Sequence, residues 1–330
     1  MLKTGKLDSK LLEDIVFKNI KFKRSEVKKR PGIGEDCAVI DFGEYDCVMS
    51  TDPITAAVKK IGRLAVHISC NDIASNGVKP LGIMLAVMLP AGTTEEEISE
   101  MMRQAGAAAE ELEVEIIGGH TEITHAVKQP VIVSTAIGKS AAKNAEEKIM
   151  QGDLIFMTKS AGLEGSGIIA SDYEKDLAGV LSAAELAEAK SYLDNVSVVK
   201  EGVIAGETGF SGMHDVTEGG VLGAVWELCY TAGAGALVRE EAIPVTDVTK
   251  KICAHYNIDP LRLISSGCMV IVTRPDKKEQ LERELESSGI RSSLIGEMKK
   301  KEAGIKLAGK GGTSEILPPE SDELYKAVIP

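Results

Sequence analysis

The chain has 330 residues, 44% of them hydrophobic and 27% charged, with a formal net charge of -12. That length suits about two domains with sizeable cores, and the acidic balance argues against a general nucleic-acid binder and against docking on anionic lipid. No apolar run approaches the roughly 20 residues of a membrane span, the opening residues lack a signal-peptide core, and six scattered cysteines without a CxxC pair read as small apolar fillers in a reducing cytoplasm.

Residues 8–20 predict a helix, capped by Asp8 or Ser9, with Leu11, Leu12, Ile15, Val16 and Ile20 on its apolar face. The next ten residues, KFKRSEVKKR, hold six Lys or Arg. They read as a solvated loop or as a cationic flap over phosphates. Pro31–Asp41, PGIGEDCAVID, follows. Gly32 and Gly34 allow a tight path, and Glu35 and Asp36 stand where the loop enters a strand. That arrangement suits a hard cation with a phosphate, and also an ordinary turn. A second strand, residues 46–50, ends at Thr51-Asp52-Pro53, which aims the Asp52 carboxylate at the sheet's rim. Residues 61–76 predict a helix closed by Gly77, with Leu64, Ile68 and Asp72 on one stripe. An acid in that stripe needs an arginine, a backbone amide, a metal or a ligand hydroxyl. His67 and Cys70 on the same helix read as packing residues.

Leu81–Leu89 reads as a central strand covered on both faces. Thr93 or Thr94 caps a helix running to about Leu112. Residues 114–117 form a strand that opens into a second glycine turn, Gly118-Gly119-His120-Thr121-Glu122, and residues 131–137 a further strand. The polar stretch 139–153 is the linker, dividing 1–30 (helix and basic flap) and 31–145 from 146–330. Strand 154–158 leads into KSAGLEGSG, where Lys159 and glycines before a helix at 165–168 make an anion cradle without Walker A spacing. Helices are expected at 182–191, 196–206, 221–230 and 277–287, and strands at 235–239, 268–273 and 303–307, with a loop-rich tail after Gly311. His214-Asp215-Val216-Thr217-Glu218-Gly219-Gly220 precedes the third of these helices, with Asp215 or Thr217 able to cap it. Asp36, Asp52, Asp72, Glu122 and Asp215 form a set of carboxylates at strand ends, glycine turns and a buried stripe. Such a set repels itself unless a divalent cation is present, and magnesium pairs carboxylates with substrate phosphates. The residues point to a Mg-nucleotide site without a P-loop.

GIGEDCAVI, STDPIT, LAVHISCNDIASNGVKPLG, GGHTEIT and HDVTEGGV, in this order, resemble the aminoimidazole-ribonucleotide (AIR) synthetase superfamily across nearly the whole chain. GKLDSKLLEDIVF and SDELYKAVIP look most like its hydrogenase-maturation (HypE-like) branch. The resemblance implies an α/β (α+β) fold: a first domain whose sheet pairs across a homodimer, and a ferredoxin-like second domain. It implies ATP and Mg2+ as cofactors. Asp36, Asp52 and Asp72 would hold magnesium and phosphates, joined by Gly32 and Gly34. Gly118, Gly119, His120 and Thr121 would form the turn near the nucleotide, with Glu122 a further metal ligand. His214, Asp215 and Lys159 would face the reaction. The chain departs from the pattern at Glu35, where Asp is usual, at His120, where the kinase-like branch has an acid, and at its Ala327-Val328-Ile329-Pro330 end, where the carbamoyl dehydratase carries a cysteine. The implied activity is ATP-dependent activation of an oxygen on a small substrate or a partner-protein group. Its alternatives are a small-molecule kinase resembling thiamine-monophosphate kinase and a nucleotide-binding partner in metalloenzyme assembly.

Overall fold

Two sheets carry the molecule. The computed structural model describes residues 5–7, 9–55, 57–141, 148–319 and 321–328. The first sheet is built from β1 (Val27–Lys29), β2 (Ala38–Asp41), β3 (Tyr45–Ile54), β4 (Pro80–Pro90), β5 (Glu115–Thr124) and β6 (Val131–Ala141), in the order β1-β2-β3-β6-β4-β5. Its neighbours are antiparallel except β4 and β5, which run parallel. The second sheet takes β7 (Leu154–Thr158), β8 (Gly212–Asp215), β9 (Gly235–Arg239), β10 (Met269–Thr273), β11 (Ser292–Lys299), β12 (Ile305–Gly309) and β13 (Gly312–Glu315), ordered β13-β12-β9-β11-β7-β10-β8.

The helices follow local chemistry. After α1 (Ser9–Leu11) comes α2 (Ile61–Ser75), buried at every position but Arg63, because it is wedged between the two domains. In α3 (Glu95–Leu112) a capping box joins Thr94 and Glu97, and Ser182 and Glu185 repeat the device at α5 (Ala183–Ser191). The second domain adds α4 (Leu163–Asp172), α6 (Val199–Thr208), α7 (Gly220–Ala232), α8 (Asp247–Tyr256), α9 (Lys278–Ser287) and α10 (Leu324–Val328). The domains lock through α2 and α6. Asn71 donates to Val196 O and accepts from Val198 N, both at 2.8 Å. Gly202 lets the helices touch, since a Cβ there would lie 2.2 Å from Ala74 O.

Several expectations are corrected. The helix expected over 8–20 is α1 followed by a π turn (Leu12–Val16) and a 3-10 turn (Phe17–Asn19), and Ile15, Val16 and Ile20 are exposed because no described core packs on them. Asp8 lies outside the described residues, as does the division near 145. The GGHTE stretch is no turn but the middle of β5, and Gly119 is required there because a Cβ would meet Leu85 O at 2.0 Å. Asp52 and Pro53 do not end their strand. β3 continues to Ile54, and β2 leaves it after Met49, so the proline sits on an unpaired edge. β4 is covered on one face only: Leu81 and Met84 are about half exposed. Neither Asp215 nor Thr217 caps α7. Its N-cap is Gly219, whose N–H donates to Asp322 Oδ2 at 2.7 Å. The tail after Gly311 adds β13 and α10.

Candidate active site

Four of the five carboxylates singled out in the sequence converge where α2 meets the edge strand β8. Asp36 leads into β2, Asp52 lies on the helix-covered face of β3, Asp72 stands on α2, and Asp215 ends β8. Ser50 bridges them: its hydroxyl donates to Asp72 Oδ2 and lies 3.5 Å from Asp52 Oδ2. Ser75 Oγ donates to the Asp72 carbonyl at 2.7 Å and sits 3.4 Å from Asp36 Oδ2. The Cys37 thiol donates to that same carbonyl at 3.1 Å, which pins the glycine-acid loop to α2.

His214 sits among these acids. Its Nδ1 donates to the Asp215 carbonyl at 2.7 Å, so that nitrogen carries hydrogen. Its Nε2 faces Glu227 Oε2 at 3.0 Å and Asp36 Oδ1 at 3.5 Å. Burial disfavours the imidazolium, but Asp36 and Glu227 outweigh it and lift His214 to about 10. His214 is therefore an internal cation. Glu227 answers it: burial opposes ionisation, yet His214 and Lys6 hold its carboxyl down at about 2.

Ionising the remaining acids together would leave negative charge uncompensated, and each is pushed towards its protonated form. Asp215 is fully buried with no hydrogen-bond partner on either carboxylate oxygen, and burial, then Asp36, pushes it up to about 8. Burial, then Asp52 and Asp215, raises Asp72 well above the usual range, and burial raises Asp36. Single ligand atoms of Asp36, His214 and Asp215 lie within 4.8 Å of one another. A cleft of about 100 Å³ runs beside them, lined by Gly32, Gly34 and Asp36 from one domain and Glu218, Gly219 and Glu227 from the other.

Other sequence-derived residues go elsewhere. Glu35 turns from the cluster to Lys29 Nζ at 2.7 Å. Gly34 has φ +73°, and a Cβ there would meet Thr231 Oγ1 at 2.7 Å, so this glycine lets the loop seat on α7. Ile33 O accepts from Thr231 Oγ1 at 2.9 Å. Register lines up Asp52, Ser134, Leu85 and Gly119 across β3, β6, β4 and β5. Three strand spacings separate Asp52 from Gly119, about 14 Å. His120 aligns with Ala86, Val133 and Pro53, whose parity is the uncovered face, and Glu122 shares that parity. His120 and Glu122 face each other at 3.3 Å, on the opposite side of the sheet from the Asp52 carboxylate. Gly118 and Thr121 lie on the same strand. Lys159 pairs with the buried Glu201 at 2.7 Å and donates to Ser197 O at 2.6 Å, so the second domain absorbs its charge. Half of the basic run is likewise paired locally: Lys28 with Asp46, Lys29 with Glu35, and Arg24 with Glu26.

Glu227 and Lys6 were missed. A lone acid inside the apolar stretch VLGAVWELCY was the available signal for Glu227. Lys6 carried none.

Residues 34–140 match the model of the AIR synthase related protein N-terminal domain, and residues 150–307 that of the C-terminal domain. A protein of Methanocaldococcus jannaschii named as a putative hydrogenase expression/formation protein is 28% identical, over 91% of this chain and 90% of its own. The carbamoyl dehydratase HypE of Bradyrhizobium diazoefficiens is 28% identical, over 74% of this chain and 71% of its own. The crystal structure of the hydrogenase maturation protein HypE in complex with ATP shares the fold, with a TM-score of 0.72, 22% identity, and coverage of 99% of this chain and 98% of that one. So does AaThiL complexed with AMPPCP and TMP, with a TM-score of 0.74, 16% identity, and coverage of 97% and 99%.

Proposed function

From the chain's membership of the AIR synthase related protein family, we propose that it is an ATP- and magnesium-dependent enzyme that activates an oxygen of a small substrate or a partner-protein group, in the manner of the hydrogenase-maturation branch. The observation that carries the reading is the buried Asp215 carboxylate, which has no hydrogen bond on either oxygen and is grouped with His214 and with Asp36, the one of the three that lines a cleft between the domains. Hard carboxylate donors fit magnesium, which takes protein carboxylates together with substrate phosphates. Asp36, Asp52, Asp72 and Asp215 would hold it, and it would supply charge neutralisation at the phosphates. His214, already an imidazolium between Asp36 and Glu227, fixes those carboxylates in place. The chain's share of the work is positioning and electrostatics, as for phosphoryl transfer generally.

The names of relatives support the branch: one is named a putative hydrogenase expression/formation protein and another the carbamoyl dehydratase HypE, and a HypE of this fold is in complex with ATP. A kinase reading has its own support in the ThiL complex, whose fold matches equally well. We further propose a homodimer formed through the uncovered face of the first sheet. Pairing there would bring His120 and Glu122 of one protomer against its partner, which is how the GGHTE stretch would join a nucleotide site.

The test is ADP release from Mg-ATP, with and without candidate acceptors, by the wild type and Asp52→Asn. The wild type is expected to bind ATP only with magnesium, and Asp52→Asn to lose at least about a hundredfold in turnover, the scale of a lost transition-state electrostatic contact. An Asp52→Asn variant as active as the wild type removes the carboxylate site from the mechanism.

A further inference from the structure

Lys159 and half of the basic run are paired with acids elsewhere, while a cation that the sequence did not offer stands on the cleft. We propose that Lys6, carried by the N-terminal segment, is the cation that grips the nucleotide's phosphates. The inference rests on the ATP reading above and adds a residue to it.

Three observations carry it. First, among the described residues lining the cleft, Lys6 is the one side chain with a positive charge, and it shares that wall with Gly32, Gly34, Asp36 and Gly219. A polyphosphate lying between the two glycine stretches would meet carboxylates on every other charged wall. Second, the backbone at Lys6 is held. Its N–H donates to Glu218 Oε2 at 3.1 Å, Glu218 Oε1 accepts from Tyr325 OH at 3.0 Å, and Gly5 packs on the Tyr325 ring. The segment is thus tied to the second domain, and the ammonium rests beside Glu227 of the same domain, on the wall of the cleft that Asp36 of the first domain also lines. Third, the ammonium can leave its resting partner without stranding a charge. Nζ is 3.6 Å from Glu227 Oε1, and the Lys6 side chain is about half exposed. Glu227 Oε2 also faces His214 Nε2 at 3.0 Å and keeps that contact when Lys6 turns away. A flexible stem, three rotatable donors and a compact charge suit a lysine that moves from a carboxylate to a phosphate.

The test is calorimetric titration of the full chain in magnesium buffer with ATP and, separately, with adenosine. Lys6→Ala should weaken ATP binding by at least about tenfold, as expected for loss of one charge-assisted phosphate contact, and leave adenosine unchanged. Lys6→Arg, which keeps the charge, should recover most of the loss. Lys18→Ala, at an exposed lysine paired with Asp14, should match the wild type with both ligands. The proposal is overturned if Lys6→Ala binds ATP like the wild type, or if ATP and adenosine weaken together, the sign of a structural role. Wild-type protein that binds no ATP overturns the enzymatic reading and this proposal with it. ATP binding that ignores Lys6 overturns this proposal alone.

Discussion

Glu35 and Asp36 are adjacent in sequence and opposite in duty. One side chain leaves the loop towards Lys29 on β1, while the other faces His214 at 3.5 Å. The pair looked like a doubled metal ligand because sequence spacing does not tell which way neighbouring side chains point. Among the carboxylates outside the cluster, Glu164 is the informative one. It is 4% exposed, its Oε2 accepts from Ser266 N at 3.3 Å, and burial pushes its pKa from 4.5 to about 7. A folded-state pKa above the unfolded value means that the protonated acid is the form folding prefers. Stability tied to Glu164 is complete below about pH 4.5 and is lost as pH rises through 7. A 2.5-unit shift corresponds to about 3 kcal/mol. Glu164→Gln keeps the shape and an acceptor for Ser266 N but cannot ionise. Urea unfolding should find it no more stable than the wild type at about pH 4 and more stable by up to about 3 kcal/mol at about pH 8. Equal gains at both pH values would place the effect outside ionisation.

At the scale of elements, α2 and α6 make the joint between domains, and the joint depends on a missing side chain. Gly202→Ala would put a Cβ 2.2 Å from Ala74 O, backbone that cannot yield without parting the helices. Overpacking of that kind costs about 1–3 kcal/mol, although alanine favours a helix by about 1 kcal/mol in open surroundings. Gly106→Ala on α3 has open space around it and isolates the propensity gain. Thermal melts should therefore move in opposite directions, down for Gly202→Ala and up for Gly106→Ala. A Gly202→Ala variant melting at or above the wild type would show that the helices can separate cheaply. Legibility divides along similar lines. Leu154–Thr158 and Gly235–Arg239 were readable because short apolar runs become strands. The carboxylate site was readable because a stray acid in an apolar stripe is costly, which is how Asp72 drew notice before its neighbours were known. The GGHTE stretch was misread because glycine signals close backbone approach as well as turns, and here Gly119 approaches Leu85 across a parallel pair. α8 and β11 were not foreseen at all. The packing that fixes β11 comes from its partners β7 and β9, which lie far away in the chain.

At the scale of the whole molecule, the first sheet buries one face and leaves the other uncovered. Directly paired residues share a face, so Thr51, Thr135 and Met84 form a row on the uncovered side, while Ser50, Ala136 and Ile83 form the buried row behind it. The uncovered row is joined by a Thr51–Thr135 hydroxyl contact at 2.9 Å, and Met84 is 48% exposed. A half-exposed apolar sheet face of this kind marks an association surface, and a second copy of the chain is the occupant proposed above. Met84→Lys separates the possibilities by its energetics. On a solvent-facing monomer such a change falls within about 0.5 kcal/mol, because the ammonium reaches water. In a dimer that closes over this face it buries an unpaired charge at a cost of several kcal/mol. Sedimentation velocity should therefore find the wild type at twice the 35.0 kDa chain mass and Met84→Lys at the single-chain mass, with unfolding of the isolated chain little changed. Leu237→Lys, an equally drastic change on β9 of the second sheet, where Leu237 is 36% exposed, should remain dimeric. If the proposed site draws His120 and Glu122 from the partner, Met84→Lys should also lose ATP turnover while keeping the carboxylate cluster whole. A monomeric wild type, or a Met84→Lys variant that stays dimeric, would place the interface elsewhere and leave the GGHTE strand outside the nucleotide site.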